Sequence, residues 1–327
     1  MKLVCLPEEA RLINREGARV RMPVKGVEGL VEMNTQTMPG GVSADGPGTV
    51  NPADYDLVAL AMQEPQYRSP DVKDLLYRVA EAKIPCMSIM NMPPLTYLKR
   101  IAAIDIDAVK HCYTDTSVWD KFDPALMTLC SPDPQAFRPP TEKVNLLQVG
   151  LPTNFKTARF ESDEHTAILR QLEFDIQAIR FDIGGREVEL PVKLRVYDSV
   201  FVPLAKWAML MTGNYRCVQK DEMRSIKEAV HSDIEKSLVV YNWVVELCVS
   251  LGGDANDLVP FEKYANAALS LVNPSSAARA LAAGVPNIER ADCLVQTIAA
   301  DRGMHSDSVD LTVVLVDGWL EKNRQKA

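Results

Sequence analysis

Apolar positions along the chain fall into two regimes. In the first half, short apolar runs alternate with stretches at helical spacing. Residues 3–6 form a short apolar run that predicts a strand, and 8–16 repeat at helical spacing up to Gly17, a C-terminal stop. Residues 18–22 predict the next strand. Residues 34–54 are dense in Gly, Pro and Asn and predict a loop. The run at 56–62, DLVALAM, is continuously apolar, the pattern of a strand buried on both faces of a parallel sheet. Residues 71–83 return to helical spacing, and 84–90, IPCMSIM, give a second buried strand. Strand, helix, strand at this spacing is a βαβ unit and predicts a doubly wound sheet.

Residues 143–160 read as two strands around a proline turn, and 164–179 as an amphipathic helix. RFDI and REVEL flank Gly184–Gly185, a two-residue hairpin signal. From about residue 195 the strand pattern ends and helices follow one another, at roughly 197–217, 221–251, 255–272, 275–283, 286–303 and 308–323. Ser225 with Glu228 fits a capping box, Gly252–Gly253 closes the long helix, and Gly284 with Pro286 separates the next two. The expected organisation is an α/β domain over 1–190 followed by an all-α domain over 191–327.

Composition narrows the function more than the fold. The chain of 327 residues is 47% hydrophobic and 24% charged, with a formal charge of −8 and no Lys/Arg cluster. Nucleic acid and anionic membrane surfaces are therefore not expected partners. No apolar run reaches the roughly 18–20 residues that span a bilayer. Glu8 and Glu9 stand where a signal peptide would have its apolar core, so the expected location is cytoplasmic. Seven cysteines and four histidines are scattered without a CxxC pair, which predicts single, mostly buried thiols, no disulfide framework and no metal site.

Lys206 is the sole charge in VFVPLAKWAMLMTGNY. A desolvated ammonium loses its proton readily and suits a proton donor. A surface lysine laying its stem over apolar groups has the same signature. Asn214 lies about 12 Å further along the same predicted helix and about 80° around it, and suits either a shared cleft or an ordinary helix end. In PSSAARALAAGVPNIERAD, Ser275 and Ser276 open a helix where free N–H groups and hydroxyls suit a substrate carboxylate, or where a serine simply caps. Glu289 and Asp292 stand at the start of the following helix, a placement the helix dipole also favours.

The series Lys206, Asn214, Ser275–Ser276, Ile288–Glu289 and Asp292 resembles the helical domain of the ketopantoate reductase (2-dehydropantoate 2-reductase) family, with its 6-phosphogluconate-dehydrogenase-like fold. VCLPEEARLINREGARVRM is similar to that family's second strand and following helix, DLVALAMQ to its fourth strand, and the step at Asn91 to its Asn-Gly turn. The resemblance covers nearly the whole chain and implies a Rossmann-like domain followed by an all-helical substrate or dimerisation domain. It implies an NAD(P)H-dependent reductase of a small 2-keto acid, with a homodimer left open. Carried over, Lys206 and Glu289 are the catalytic residues, with Lys206 protonating the developing alkoxide. Asn214, Ser275, Ser276 and Asp292 bind substrate, and Gln63 and Asn91 lie at the cofactor.

The chain also departs from the family pattern. The family opens with a strand and G-x-G-x-x-G, and this sequence begins after that element. Gly46-Pro47-Gly48 is not a substitute, because Pro separates its glycines and the third is missing. Pro7, Glu8 and Glu9 stand where a family Arg reads the cofactor's 2′-phosphate, Gln63 replaces a Lys, Leu210 replaces the first of two Asn, and Glu289 sits one residue late. Two readings follow: the strand and loop lie upstream of Met1, or the scaffold has lost them and serves as a non-catalytic or ligand-binding protein. On either reading, NADP or NAD binding by this chain is expected to be weak or absent. A third reading, a helical dimerisation module built on 221–251, ranks below both.

Overall fold

The computed structural model describes residues 1–132 and 136–326. Its centre is a five-stranded sheet ordered β13-β10-β7-β6-β5, formed by β5 (Val58–Leu60), β6 (Cys86–Ile89), β7 (Met127–Pro132), β10 (Thr153–Ala158) and β13 (Val192–Tyr197). β5, β6 and β7 are parallel, with Val58 opposite Cys86 and Met87 opposite Thr128. β10 runs antiparallel to β7 and parallel to β13. Both faces of β6 are covered, which is why its sequence is apolar without alternation. Cys86 joins the large core beneath the helices, while Met87 joins Cys130, Phe160 and Leu169 beneath α5 (Asp163–Ala178).

The chain begins with β1 (Lys2–Val4), α1 (Pro7–Glu16), β2 (Arg19–Pro23), β3 (Leu30–Asn34) and β4 (Ser43–Asp45). β1 pairs in parallel with β4, and α1 packs Ala10 and Ile13 against Ala44. Among the described residues β1 has no partner besides β4, and β5 is the end of its own sheet. A four-stranded sheet, β3-β2-β9-β8, takes in β8 (Ala136–Phe137) and β9 (Leu146–Val149). β11 (Arg180–Ile183) and β12 (Arg186–Glu189) form the expected hairpin, with Gly184 at φ 63° and Gly185 at φ 87°, the left-handed pair that a tight hairpin turn requires. Between the strands lie α2 (Pro70–Glu81) and two single turns, α3 (Leu95–Leu98) and α4 (Ile106–Val109).

The helical half comprises α6 (Lys206–Met209), α7 (Ile226–His231), α8 (Ile234–Ser250), α9 (Phe261–Ala268), α10 (Ser276–Ala282), α11 (Ala291–Asp301) and α12 (Asp307–Arg324). One apolar core runs without interruption from the sheet, through Leu60 and Leu129, to Leu294 and Leu320. Three sequence expectations are corrected here. The 34–54 loop contains β4 and a 3-10 turn, Pro52–Asp54. The single helix 221–251 is two: Ser225 and Glu228 do form the capping box of α7, but Asp233 then takes the Lys236 N–H and starts α8 afresh. The helix placed at 286–303 begins only at Ala291, leaving 286–290 non-helical.

After α6 the chain widens into a π turn, Leu210–Asn214, before a 3-10 turn at Tyr215–Cys217. Such turns re-aim side chains along a helix. Gly213 is required within it. A Cβ there would lie 2.0 Å from Tyr264 Oη and 3.1 Å from Ile226 Cγ2. Tyr264 cannot easily yield, because its hydroxyl donates to the Met209 carbonyl at 3.1 Å and its ring stacks on Tyr241. Gly213→Ala is expected to destabilise the protein by about 1–3 kcal/mol, the range for overpacking. Adding Tyr264→Phe, which deletes the colliding atom, should restore part of that loss in urea denaturation.

Candidate active site

Glu289 is the centre of the site. The stretch 286–290 before α11 is non-helical, and it carries the carboxyl group to the residues that follow β5 and β6. Tyr215, next to the π turn, fixes the backbone: its hydroxyl donates to the Glu289 carbonyl at 2.5 Å and accepts the Ala291 N–H at 3.1 Å. The carboxyl accepts the Glu64 N–H at 3.3 Å on Oε1 and the Asn91 amide at 3.5 Å on Oε2. Glu64 and Asn91 follow β5 and β6, so the C-terminal ends of two parallel strands meet the helical half at one side chain.

The environment decides the chemistry of that carboxyl. Burial pushes it up to about 7, against the lowering effect of hydrogen bonding by the Glu64 backbone, the Asn91 amide and the Met92 backbone, and the neighbouring Glu64 carboxylate adds to the rise. Glu64 is also raised by burial, although the Thr114 N–H and hydroxyl hold its two oxygens at 2.9 and 2.8 Å. A carboxyl poised near neutrality can either give or take a proton.

Glu289 opens onto a narrow cleft of about 20 Å³, room for one water-sized group. Of the residues proposed from sequence, Gln63, Asn91, Asn214, Ser276 and Glu289 all line it, together with Leu210. Ser275 is set back: its hydroxyl caps α10 by accepting the Ala278 N–H at 3.2 Å and donates to the Asn214 carbonyl at 2.7 Å. It therefore fixes Asn214 and leaves the lining to Ser276. Asp292 is fully buried and paired with Arg290, at 3.0 Å to Nε and 3.1 Å to Nη2. Lys206 is half-buried, one turn before Leu210, and is not among the lining residues. Tyr215, Glu64 and Thr114 were not singled out from sequence. Tyr215 sits inside an apolar run that reads as core, and nothing around Glu64 signals its burial. A larger cavity of about 280 Å³, lined by Arg216, Arg224 and Lys236 among others, contains none of the proposed residues.

No protein-family model and no curated protein sequence matches the chain. Solved structures do. A D-mandelate dehydrogenase with NADH and anilino(oxo)acetate is 12% identical, with a TM-score of 0.62 over 97% of this chain and 89% of that one. A 2-dehydropantoate 2-reductase from Geobacter metallireducens GS-15 is 12% identical, with a TM-score of 0.61 over 97% and 91%. A PanE/ApbA family ketopantoate reductase from Ralstonia eutropha JMP134 is 13% identical, with a TM-score of 0.60 over 99% and 91%. This chain has the ketopantoate reductase fold. At these identities the likeness speaks for the fold alone.

The ketopantoate reductase fold is tied to dinucleotide binding in the D-mandelate dehydrogenase just described, so the phosphate site needs a test on this chain's own residues. Among the described residues no glycine-bearing turn joins a strand end to a helix N-terminus. α1 begins Pro7-Glu8-Glu9, which offers a proline and two carboxylates to an anion. Gly46-Pro47-Gly48 leads into a 3-10 turn, and the Arg78 guanidinium ties that loop down through the Pro47 and Val50 carbonyls. The described residues do not fit a dinucleotide pyrophosphate.

The raised Glu289 carboxyl has a consequence for stability. A glutamate in the unfolded chain ionises near 4.5, and in the fold this one keeps its proton to about 7. Below 4.5 both states are protonated and nothing is lost. As pH rises from 4.5 to 7 the unfolded chain sheds its proton first, so stability falls, then levels off above 7. Relative to Glu289→Gln, which keeps the side chain's size and one acceptor oxygen but cannot ionise, wild type should lose on the order of 3 kcal/mol across that window. Denaturant titrations of both proteins across this pH range will measure it, and parallel curves would refute the buried-acid assignment.

Proposed function

We propose that this protein is a ketopantoate-reductase-like oxidoreductase acting on a small 2-keto acid, with the substrate in the Glu289 cleft. The observation that carries the proposal is the convergence of Gln63, Asn91, Asn214, Ser276 and a neutral-range Glu289 on one cleft between sheet and helices. Amides and a hydroxyl orient a carbonyl and a carboxylate by hydrogen bonds, and protonated Glu289 donates to the oxygen where charge develops. The cleft is too narrow for a keto acid as it stands, so binding requires the helical half to draw back, and Lys206 is proposed to join the lining then. The domain division at about residue 190 is proposed as the line of that opening. NADPH or NADH is the cofactor this activity takes. Because the described residues lack the pyrophosphate cradle, no step is assigned to it.

That mismatch favours a second reading, a protein that binds the acid on the same scaffold without reducing it. A homodimer belongs to the proposal, because a ketopantoate reductase from Staphylococcus aureus with a similar fold is dimeric. No helix of the described chain is long and apolar enough to cross a membrane; a cytoplasmic location is part of the proposal.

Two titrations separate these readings. Small 2-keto acids should quench tryptophan fluorescence more strongly below pH 7 than above it, because an ionised Glu289 repels a carboxylate, and Glu289→Gln should abolish that pH dependence. NADPH, followed by its own fluorescence, should bind weakly or not at all. Sub-micromolar binding with turnover would establish the reductase and a phosphate site formed some other way. Acid binding without NADPH binding would establish the binding protein, and failure of both would remove the cleft from the function.

A further inference from the structure

The fold assembles a second cluster, behind the cleft, from residues 181 apart in sequence. Cys112 ends a 3-10 turn (Lys110–Cys112) after α4, and Cys293 lies in the first turn of α11. Their sulfurs are 3.3 Å apart, with the Cys112 thiol donating. The His111 ring nitrogen Nε2 is 3.6 Å from each sulfur. Thr297 Oγ1, one turn further along α11, is 3.3 Å from that nitrogen and 3.6 Å from Cys112 Sγ. The three side chains offer ligand atoms within 4.8 Å of one another.

These separations match a metal better than a disulfide. Tetrahedral zinc, with sulfur at about 2.3 Å and nitrogen at about 2.0 Å, sets S···N near 3.5 Å and S···S near 3.7 Å. A disulfide needs its sulfurs at about 2.05 Å and gives an imidazole no place between them. The histidine is also oriented as a ligand. Its Nδ1 lies 2.9 Å from the Ala108 carbonyl, so that nitrogen carries the proton and the Nε2 lone pair faces the thiols. The adjacent cation does not compete for the site, because Arg290 is held by Asp292 and Asp317. Cys112 is buried, Cys293 half-buried and His111 exposed, which gives an ion a route in from solvent.

We propose that His111, Cys112 and Cys293 form a zinc site, with the fourth coordination position facing the Thr297 hydroxyl. Binding forms two Zn–S bonds and one Zn–N bond and releases the two thiol protons to solvent, with no change in oxidation state. Two thiolates neutralise the ion. The site clamps the turn after α4 to α11, joining the α/β half to the helical half. The sequence analysis expected single thiols and no metal because no two ligands share a short motif apart from the adjacent pair His111–Cys112, and the third is supplied by tertiary structure.

The test uses the full chain, reduced and stripped of metal with a chelator. Cobalt(II) titration should produce sulfur-to-metal charge-transfer absorption that saturates at one ion per chain and disappears when zinc is added. Zinc should raise the thermal midpoint by several degrees. Cys293→Ser and Cys112→Ser should abolish the absorption, His111→Gln should weaken binding at least about tenfold, and Cys5→Ser, in a separate cluster beside β1, should leave it intact. If Cys112→Ser fails to fold, the half-exposed Cys293→Ser carries the comparison. Absence of the band in wild type, its persistence in Cys293→Ser, or a Cys112–Cys293 disulfide formed by a mild oxidant in a reduced chain that takes up no metal would each overturn the proposal.

Discussion

The arrangement turns on a buried carboxyl group shared between two halves of the chain. Glu289 comes from the helical half, yet its oxygens are held by the Glu64 N–H and the Asn91 amide, which follow two strands of the sheet. Removing such a group from water is costly, and the fold meets the cost partly by hydrogen bonds and partly by leaving the proton on. The Tyr215 hydroxyl, held between the Glu289 carbonyl and the Ala291 N–H, fixes the backbone that presents the carboxyl. Gly213, within the π turn that precedes Tyr215, leaves room for the Tyr264 hydroxyl. Local backbone geometry, core packing and site electrostatics are thus one chain of dependence ending at one atom pair.

The order of elements was legible where burial imposes a pattern. β6 is apolar on both faces because both faces are covered, whereas β5, at the end of the sheet, is only Val58–Leu60 and leaves Ala59 exposed, so its apolar run does not mark a strand buried on both faces; Gly184–Gly185 reads as a hairpin because two successive residues must take positive φ. What escaped was set by contacts between distant segments. β4 is a strand only because β1 pairs with it, and nothing in its three residues, Ser43–Asp45, says so. The break between α7 and α8 hinges on the Asp233 side chain capturing one N–H, within a run whose apolar spacing continues across it. In the site, five residues taken from the family resemblance converge on the cleft, whereas Ser275 and Asp292 meet their partners elsewhere. A serine at a helix start and an aspartate in a first turn satisfy backbone and ion-pair needs before any ligand arrives.

The lining of the cleft is neutral apart from Glu289. That is an unusual setting for a carboxylate ligand, since no lining cation offsets its desolvation. A protonated Glu289 removes the repulsion and supplies a donor, so protonation of one residue governs both the charge and the hydrogen-bonding capacity of the cleft. Lys206, one turn before Leu210, is not part of that lining.

The segments that build this cleft also build the thiol–imidazole cluster. Residues 111 and 112 contribute a nitrogen and a sulfur, and two residues later Thr114 holds both oxygens of Glu64, whose N–H reaches Glu289. On the other side, Glu289 and Cys293 are four residues apart across the start of α11. A tie between Cys112 and Cys293 therefore spans the same two strands of chain as the hydrogen bonds at Glu289. An opening of the proposed kind would therefore act on both connections together, because segments 112–114 and 289–293 carry them both. An ion at the cluster would set how far the two halves part at that edge, and would place the hinge of any opening on the cluster's side of the cleft.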